Sequence, residues 1–315
     1  MTLLYRNNQY QVMGLAPTST LEKKIPDVIA HRGYSGKYPE NTLISYEEAL
    51  KANTTALEGD IRLSKDGEVV IMHDLTLQRT STGNGAVFDH NWVGYIDGLF
   101  TKTEPPQPIP RLKDVFDILI RPDVVAKNTY MIVDIKFDNQ LEILDAVQVL
   151  LEEYKAHTSL RKQLVFGIWD LRFLERAKQL FIGYQLCFIG LSLGAARKHF
   201  LHELDNISLP YAALVDQEGQ DFIKEAHSLG KRVFCWTINN IEQMHQCVAW
   251  GLDGVIGDNV DTLIENVRTT VNAMSPEEFE KYVEASNNLM GKRSRLYYYI
   301  IKKSMSLISW KFIGI

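Results

Sequence analysis

Glu58 and Asp60 stand two residues apart in the apolar run 55–63, and that spacing carries chemistry. On a strand, side chains two apart share a face, so both carboxylates project into one space. Like charges held together repel, and a fold keeps such a pair where a cation lies between them. Lys65-Asp66-Gly67 then signals a tight hairpin, followed by a second apolar run, 68–73. Too few residues separate the runs for a parallel crossover, so the chain must return antiparallel. Reflecting the register about Asp66-Gly67 predicts that His73 lies opposite Asp60, a histidine beside two carboxylates. His31-Arg32-Gly33 closes an earlier apolar run, 27–30, and adds a second imidazole and a guanidinium. If that strand neighbours the Glu58 strand, His31 and His73 flank one cation from two sides.

These groups need a scaffold, and the rest of the chain alternates accordingly. A strand at about 27–31 precedes a helix capped by Asn41 or Thr42 and running to about Ala52. After the hairpin, residues 75–110 show no sustained period and read as an inserted flap. Strands are then expected at 130–136, 163–168, 184–189, 212–215, 231–237 and 254–257, with helices between them. Eight strands alternating with helices specify an α/β fold of the TIM (β/α)8 barrel type, whose chemistry sits at strand C-terminal ends. His31, Asp134, Lys136, Trp236 and Asp258 all fall at or near such ends. The organisation is a segment 1–26, a barrel 27–270, a connecting helix 271–291 and a tail 292–315.

With 315 residues, 45% of them apolar, the chain can bury one core of barrel size. Cys187, Cys235 and Cys247 form no disulfide framework and read as reduced core residues of an intracellular protein. The first residues lack a charged segment followed by a long apolar run, so no secretory signal is expected. All 39 acids precede Ser286, whereas six cations follow it. An acidic body argues against nucleic acid as a partner, and a basic tail argues for an anionic surface.

The motifs HRG at 31–33, PENT at 39–42, EGD at 58–60, SKDG at 64–67 and HD at 73–74 resemble, in order and spacing, the glycerophosphodiester phosphodiesterase family. Asp134-Ile135-Lys136 occupies the place of the family's Glu-x-Lys. The resemblance implies a third metal ligand at Asp134, one methylene shorter than usual, and a lysine near phosphate. Trp236-Thr237-Ile238-Asn239 is similar to the family's WTxN, which implies that Trp236 lines the pocket. Gly167-Ile168-Trp169-Asp170 lies where the family has serine at the first position; the pocket loses a hydroxyl there, while Trp169 walls the site. Gly251–Asp258 matches the closing GxDGxxxD and is expected to be mainly architectural.

A phosphodiester repels nucleophiles, so its hydrolysis needs a divalent cation and fixed positive groups. Glu58, Asp60 and Asp134 are expected to hold Mg²⁺ or Ca²⁺, since oxygen ligands disfavour zinc. Arg32 and Lys136 are expected on the phosphate oxygens. One of His31 and His73 takes a proton from the attacking oxygen and the other gives one to the leaving oxygen; sequence leaves open which is which. It also leaves open whether water or a substrate hydroxyl attacks.

The tail from Leu296 to Ile315 puts Tyr297, Ile301, Met305, Ile308, Phe312 and Ile315 on one helical stripe, with Lys302 and Ser309 mostly away from it. Its lysines argue for an interfacial helix and against a spanning one. A barrel with a short insertion and such a tail is similar to the fungal phosphatidylglycerol-specific phospholipases C. That implies a phospholipid substrate cleaved to diacylglycerol and glycerol phosphate, and attachment to a mitochondrial, endoplasmic-reticulum or lipid-droplet membrane. The alternatives are hydrolysis of deacylated glycerophosphodiesters, a lysophospholipase D that releases the head-group alcohol, and a lipid-binding barrel without catalysis.

Overall fold

The computed structural model describes residues 23–287, 289 and 292–313; the segment read for a secretory signal lies outside them. Nine strands are present among these residues: β1 (Asp27–Ala30), β2 (Ala56–Leu63), β3 (Val69–Ile71), β4 (Tyr130–Ile135), β5 (Leu164–Ile168), β6 (Gln185–Ile189), β7 (Asn206–Pro210), β8 (Arg232–Trp236) and β9 (Gly254–Gly257). Eight are parallel and pair in the order β1-β9-β8-β7-β6-β5-β4-β2, and β1 also pairs with β2, which closes the barrel. β3 is the antiparallel appendage on β2. This is the expected TIM barrel. Strands buried on both faces read as near-continuous apolar runs, as β4 and β5 do. Ile29, Ile132, Val165, Cys187, Phe234 and Ile256 fill the interior, and a larger cluster lies between the strands and the surrounding helices. All three cysteines are free and buried.

Two expected elements are displaced. Residues 212–215, expected as a strand, belong mostly to the helix Tyr211–Leu214, and the barrel strand is β7 just before it. β7 points Asn206 and Ser208 inward, and this polar alternation ending in Pro210 hides a strand from an apolar-run criterion. The hairpin register is also one residue off. Ser64 N donates to Glu68 O at 2.9 Å around a three-residue loop with Gly67 at φ 88°, a left-handed conformation that glycine adopts without strain. Ile61 therefore faces Ile71, and Met72, not His73, donates to Asp60 O at 2.9 Å.

The insertion is a packed unit. Leu77, Val87, Trp92, Ile96 and Ile109 form their own cluster with Val70 and Met72 of the hairpin.

In the tail, which residues face outward differs from expectation. Residues Lys292–Ile308 do form a helix, but it lies on the barrel exterior. Tyr298 packs edge-on against Tyr211 at 5.1 Å between ring centroids and accepts a hydrogen bond from Gln243 at 3.0 Å. Lys302, expected to face solvent or lipid, is buried and donates to both oxygens of Asp216 at 2.8 Å and to Glu218 at 2.9 Å. Tyr297 and Ile308 of the expected stripe are exposed while Ile301 and Met305 are half-buried, so the stripe is not one face. The side chain of Phe312 and residue Ile315 lie outside what the structure describes. Among the described residues no helix is long and apolar enough to cross a membrane.

Candidate active site

β1 ends at Ala30 and the next three residues turn sharply. Arg32 adopts φ 54°, which costs an ordinary residue roughly 1 kcal/mol, and that turn aims its backbone N–H at Glu58 Oε2, 2.9 Å away. Gly33 follows because a Cβ there would lie 2.3 Å from Ser45 Oγ and 2.7 Å from the Ser45 backbone. Thr42 caps the helix Leu43–Lys51, as the sequence allowed. Asn41 has another task. Its amide donates to Asp60 Oδ2 at 2.8 Å and its oxygen accepts from Tyr46 Oη at 3.0 Å.

Glu58 and Asp60 on β2 meet Asp134 on β4, where Asp60 pairs with Asp134 in register. All three are buried, and one oxygen from each lies within 4.8 Å of the others. Lys136 Nζ sits 2.7 Å from Asp60 Oδ1 and 2.6 Å from Asp134 Oδ2, and Arg32 Nε lies 3.4 Å from Asp60 Oδ2. Two fixed cations thus face three carboxylates. The imbalance falls on Glu58: burial and then the Asp60 charge push its carboxyl up to about 7. Burial also opposes ionisation of Asp60, but Lys136 and Arg32 outweigh it and hold that carboxyl well below its ordinary range. A buried, all-oxygen cluster one positive charge short fits a hard divalent cation such as Mg²⁺ or Ca²⁺.

Both histidines face the same cavity, of about 110 Å³, together with Arg32, Glu58, Asp134, Lys136, Trp169 and Trp236. Every residue assigned to the site from sequence is therefore brought together. His31 Nδ1 is 2.6 Å from Asp258 Oδ1, and His73 Nδ1 is 2.8 Å from Asp74 Oδ1. His73 arrives by a bend after β3 and not by cross-strand pairing. Its carbonyl accepts from Arg62 at 3.1 and 2.6 Å. Trp169 lines the cavity and also donates to Asp134 Oδ1 at 2.7 Å.

Sequence reading missed most of the groups that hold these side chains in place. Asp258, read as architectural, binds His31 and is itself held by Asn239 and by Ser35 Oγ at 3.0 Å. Glu40 binds Arg32 at 2.8 Å and Arg79 at 2.8 and 2.9 Å, and Arg79 in turn holds Asp74. An unbroken line of charge pairs thus joins Arg32 to His73, and Arg79 ties the insertion into it. PENT was the available signal for Glu40 and Asn41; nothing local pointed to Arg79.

The profile of the glycerophosphoryl diester phosphodiesterase family matches residues 31–262. The chain belongs to this family. It is a phosphoric diester hydrolase built on the glycerophosphodiester phosphodiesterase barrel. A glycerophosphodiester phosphodiesterase of Caldanaerobacter subterraneus subsp. tengcongensis is 28% identical over 252 residues, 76% of this chain and 97% of that protein. The glycerophosphodiester phosphodiesterase structure from Thermotoga maritima superposes with a TM-score of 0.62 at 27% identity, over 76% of this chain and 97% of the other. An Oleispira antarctica phosphodiesterase in complex with its product sn-glycerol-3-phosphate shares the fold, with a TM-score of 0.65 at 22% identity over 77% and 97% of the two chains.

Proposed function

We propose that the protein hydrolyses glycerophosphodiesters, with a divalent cation held by Glu58, Asp60 and Asp134. One observation carries this reading: two imidazoles, each bonded through Nδ1 to a carboxylate, open onto the cavity that holds the buried acidic triad. A carboxylate on Nδ1 fixes the tautomer and leaves Nε2 for proton transfer. The two environments pull in opposite directions. Burial lowers the His31 value, but the Asp258 hydrogen bond and the Glu58 charge overcome it and raise it above the ordinary one. Burial lowers His73 too; the Asp60 charge opposes this, yet with Lys136 and Arg32 nearby the net shift stays downward. His31 is accordingly the acid that protonates the leaving oxygen, and His73 the base that takes the proton of the attacking oxygen. Arg32, held by Glu40, and Lys136 offset the phosphate charge. When bound, the cation adds Lewis-acid polarisation of a phosphoryl oxygen. Incubation with glycerophosphocholine and Mg²⁺ or Ca²⁺ should release glycerol phosphate or its cyclic form; no release with either ion would overturn the reading.

A second reading is cleavage of intact phosphatidylglycerol at an anionic membrane. It is favoured by the outward face of the helix Lys292–Ile308 and of the π-helical segment Ser309–Ile313 that continues it. Leu296, Tyr299, Ile300, Leu307 and Trp310 are exposed there beside Lys303, opposite Tyr298 and Lys302. An apolar, aromatic and basic stripe suits a lipid interface. Flotation with phosphatidylglycerol vesicles, and assay for diacylglycerol, tests it. Loss of vesicle binding in a Leu307→Ser/Trp310→Ser variant supports the surface; absence of binding by the intact protein removes it.

A further inference from the structure

The inward face of β7 offers the cavity a hydroxyl that none of the described residues engages. Ser208 is 1% exposed, lines the cavity, and its Oγ makes no hydrogen bond among the described residues. On the adjacent strand Trp236 Nε1 is likewise buried and unpartnered, and Trp236 lines the same cavity. Ser208 pairs in register with Phe234 and Trp236 with Pro210, so the hydroxyl lies one inward position deeper than the indole. Buried polar atoms without partners are uncommon in folded proteins, and two on one cavity wall mark a place where a ligand completes the bonding.

The position of this pair in the barrel indicates which part of a substrate it meets. Going round the closed sheet, β7 lies four strands from β2 in either direction, so Ser208 is across the cavity from Glu58. A phosphodiester whose phosphorus sits at the triad, Arg32 and Lys136 sends one ester arm toward β7 and β8. The wall there also carries Ile189 and Ile256, with Thr237 beside Trp236. Gly167 adds no hydroxyl, because a Cβ at that position would lie 2.4 Å from Ile189 Cδ1. Ile189, whose register partner is Ser208, fills that space instead. The carboxylates lining the cavity, Glu58 and Asp134, are on the opposite strands, so no counter-charge for an ammonium head group lies beside Ser208.

We propose that Ser208, with Trp236 Nε1, hydrogen-bonds a neutral hydroxyl of the substrate's glycerol moiety and so helps set specificity for glycerol-bearing diesters. This rests on the glycerophosphodiester reading above. The test compares Ser208→Ala and Ser208→Thr with wild type on glycerophosphocholine and on bis(4-nitrophenyl) phosphate, which has no hydroxyl. Ser208→Ala should lower kcat/KM about tenfold or more on the first and leave the second within about twofold, while Ser208→Thr keeps much of the activity on the first. Competition by sn-glycerol-3-phosphate against ethyl phosphate should lose its preference for the former in Ser208→Ala. Equal losses on both substrates, or no loss on either, would overturn the assignment. Wild-type protein that cleaves the nitrophenyl diester but not glycerophosphocholine would overturn the substrate reading, and the Ser208 assignment with it.

Discussion

Trp169 donates its indole N–H to Asp134 Oδ1 at 2.7 Å, while Lys136 occupies the other carboxylate oxygen at 2.6 Å. The shorter side chain at position 134 is therefore clamped on both sides, and its oxygens still reach the triad. Trp169→Phe keeps the ring wall but removes the clamp. Metal affinity should fall about ten- to a hundredfold, with kcat largely recovered at saturating Mg²⁺ or Ca²⁺. Calorimetric titration of the metal measures this, and an unchanged dissociation constant would reduce Trp169 to a wall residue.

Glu58→Gln and Asp60→Asn should each abolish hydrolysis of any phosphodiester while leaving the circular dichroism spectrum and melting temperature of a folded barrel. Excess EDTA should do the same to wild type and be reversed by added divalent ion. Full turnover in EDTA would sink the metal reading.

His31→Ala and His73→Ala should each lower kcat by roughly two to four powers of ten, the range for a lost general acid or base. A substrate with a good leaving group, such as bis(4-nitrophenyl) phosphate, needs little protonation of its leaving oxygen. It should suffer much less from His31→Ala than from His73→Ala. The reverse pattern would exchange the two roles.

Asp258→Asn should lower the His31 pKa, followed by NMR titration of the imidazole. The sign of the stability effect follows from both partners. His31 is raised above its ordinary 6.5, so its contribution is complete below that value and is lost as pH rises through the folded pKa. Asp258 is lowered from 3.8 to about 2, chiefly because the His31 hydrogen bond and charge outweigh its burial, so its contribution is present above 3.8 and lost as pH falls toward 2. The stability gap between wild type and Asp258→Asn should be widest between about pH 4 and 6.5 and narrow on either side. Urea titrations at pH 5 and pH 8.5 that give the same gap would contradict it.

Lys302→Met removes the contact to Asp216 and Glu218 without touching the cavity. Amide exchange across the helix Lys292–Ile308 should quicken, while kcat on a soluble diester stays within about twofold. A loss of activity would show that this helix supports the barrel top through β7.

The carboxylate pair, His31 and the barrel were legible because each follows from local spacing: two residues on a strand, the end of an apolar run, apolar runs alternating with helical periods. His73 was legible through its HD motif, not through the turn register used to place it. What escaped depends on contacts far apart in sequence. Asp258 binds His31 across 227 positions and Arg79 binds Glu40 across 39, and no local period encodes either. β7 was misplaced because its inward positions, Asn206 and Ser208, are polar, which breaks the pattern by which barrel strands are recognised. The hairpin register slipped by one because Gly67 closes a three-residue loop where a two-residue turn was assumed. Lys302 was misread because a cation on an amphipathic helix carries no mark of the two acids waiting on the barrel.

The seam where β1 meets β9 also has a consequence for how the enzyme comes into being. His31 is among the first barrel residues to leave the ribosome, and Asp258 is among the last. A nascent chain carries the carboxylates, both imidazoles and the arginine long before the strand that orients one of those imidazoles has been made. Hydrolytic competence is therefore expected only once β9 has been made and slots between β8 and β1. A shortened product ending before Gly254 would carry intact HRG and EGD motifs but lack the strand and the carboxylate that hold His31, and is expected to be inactive.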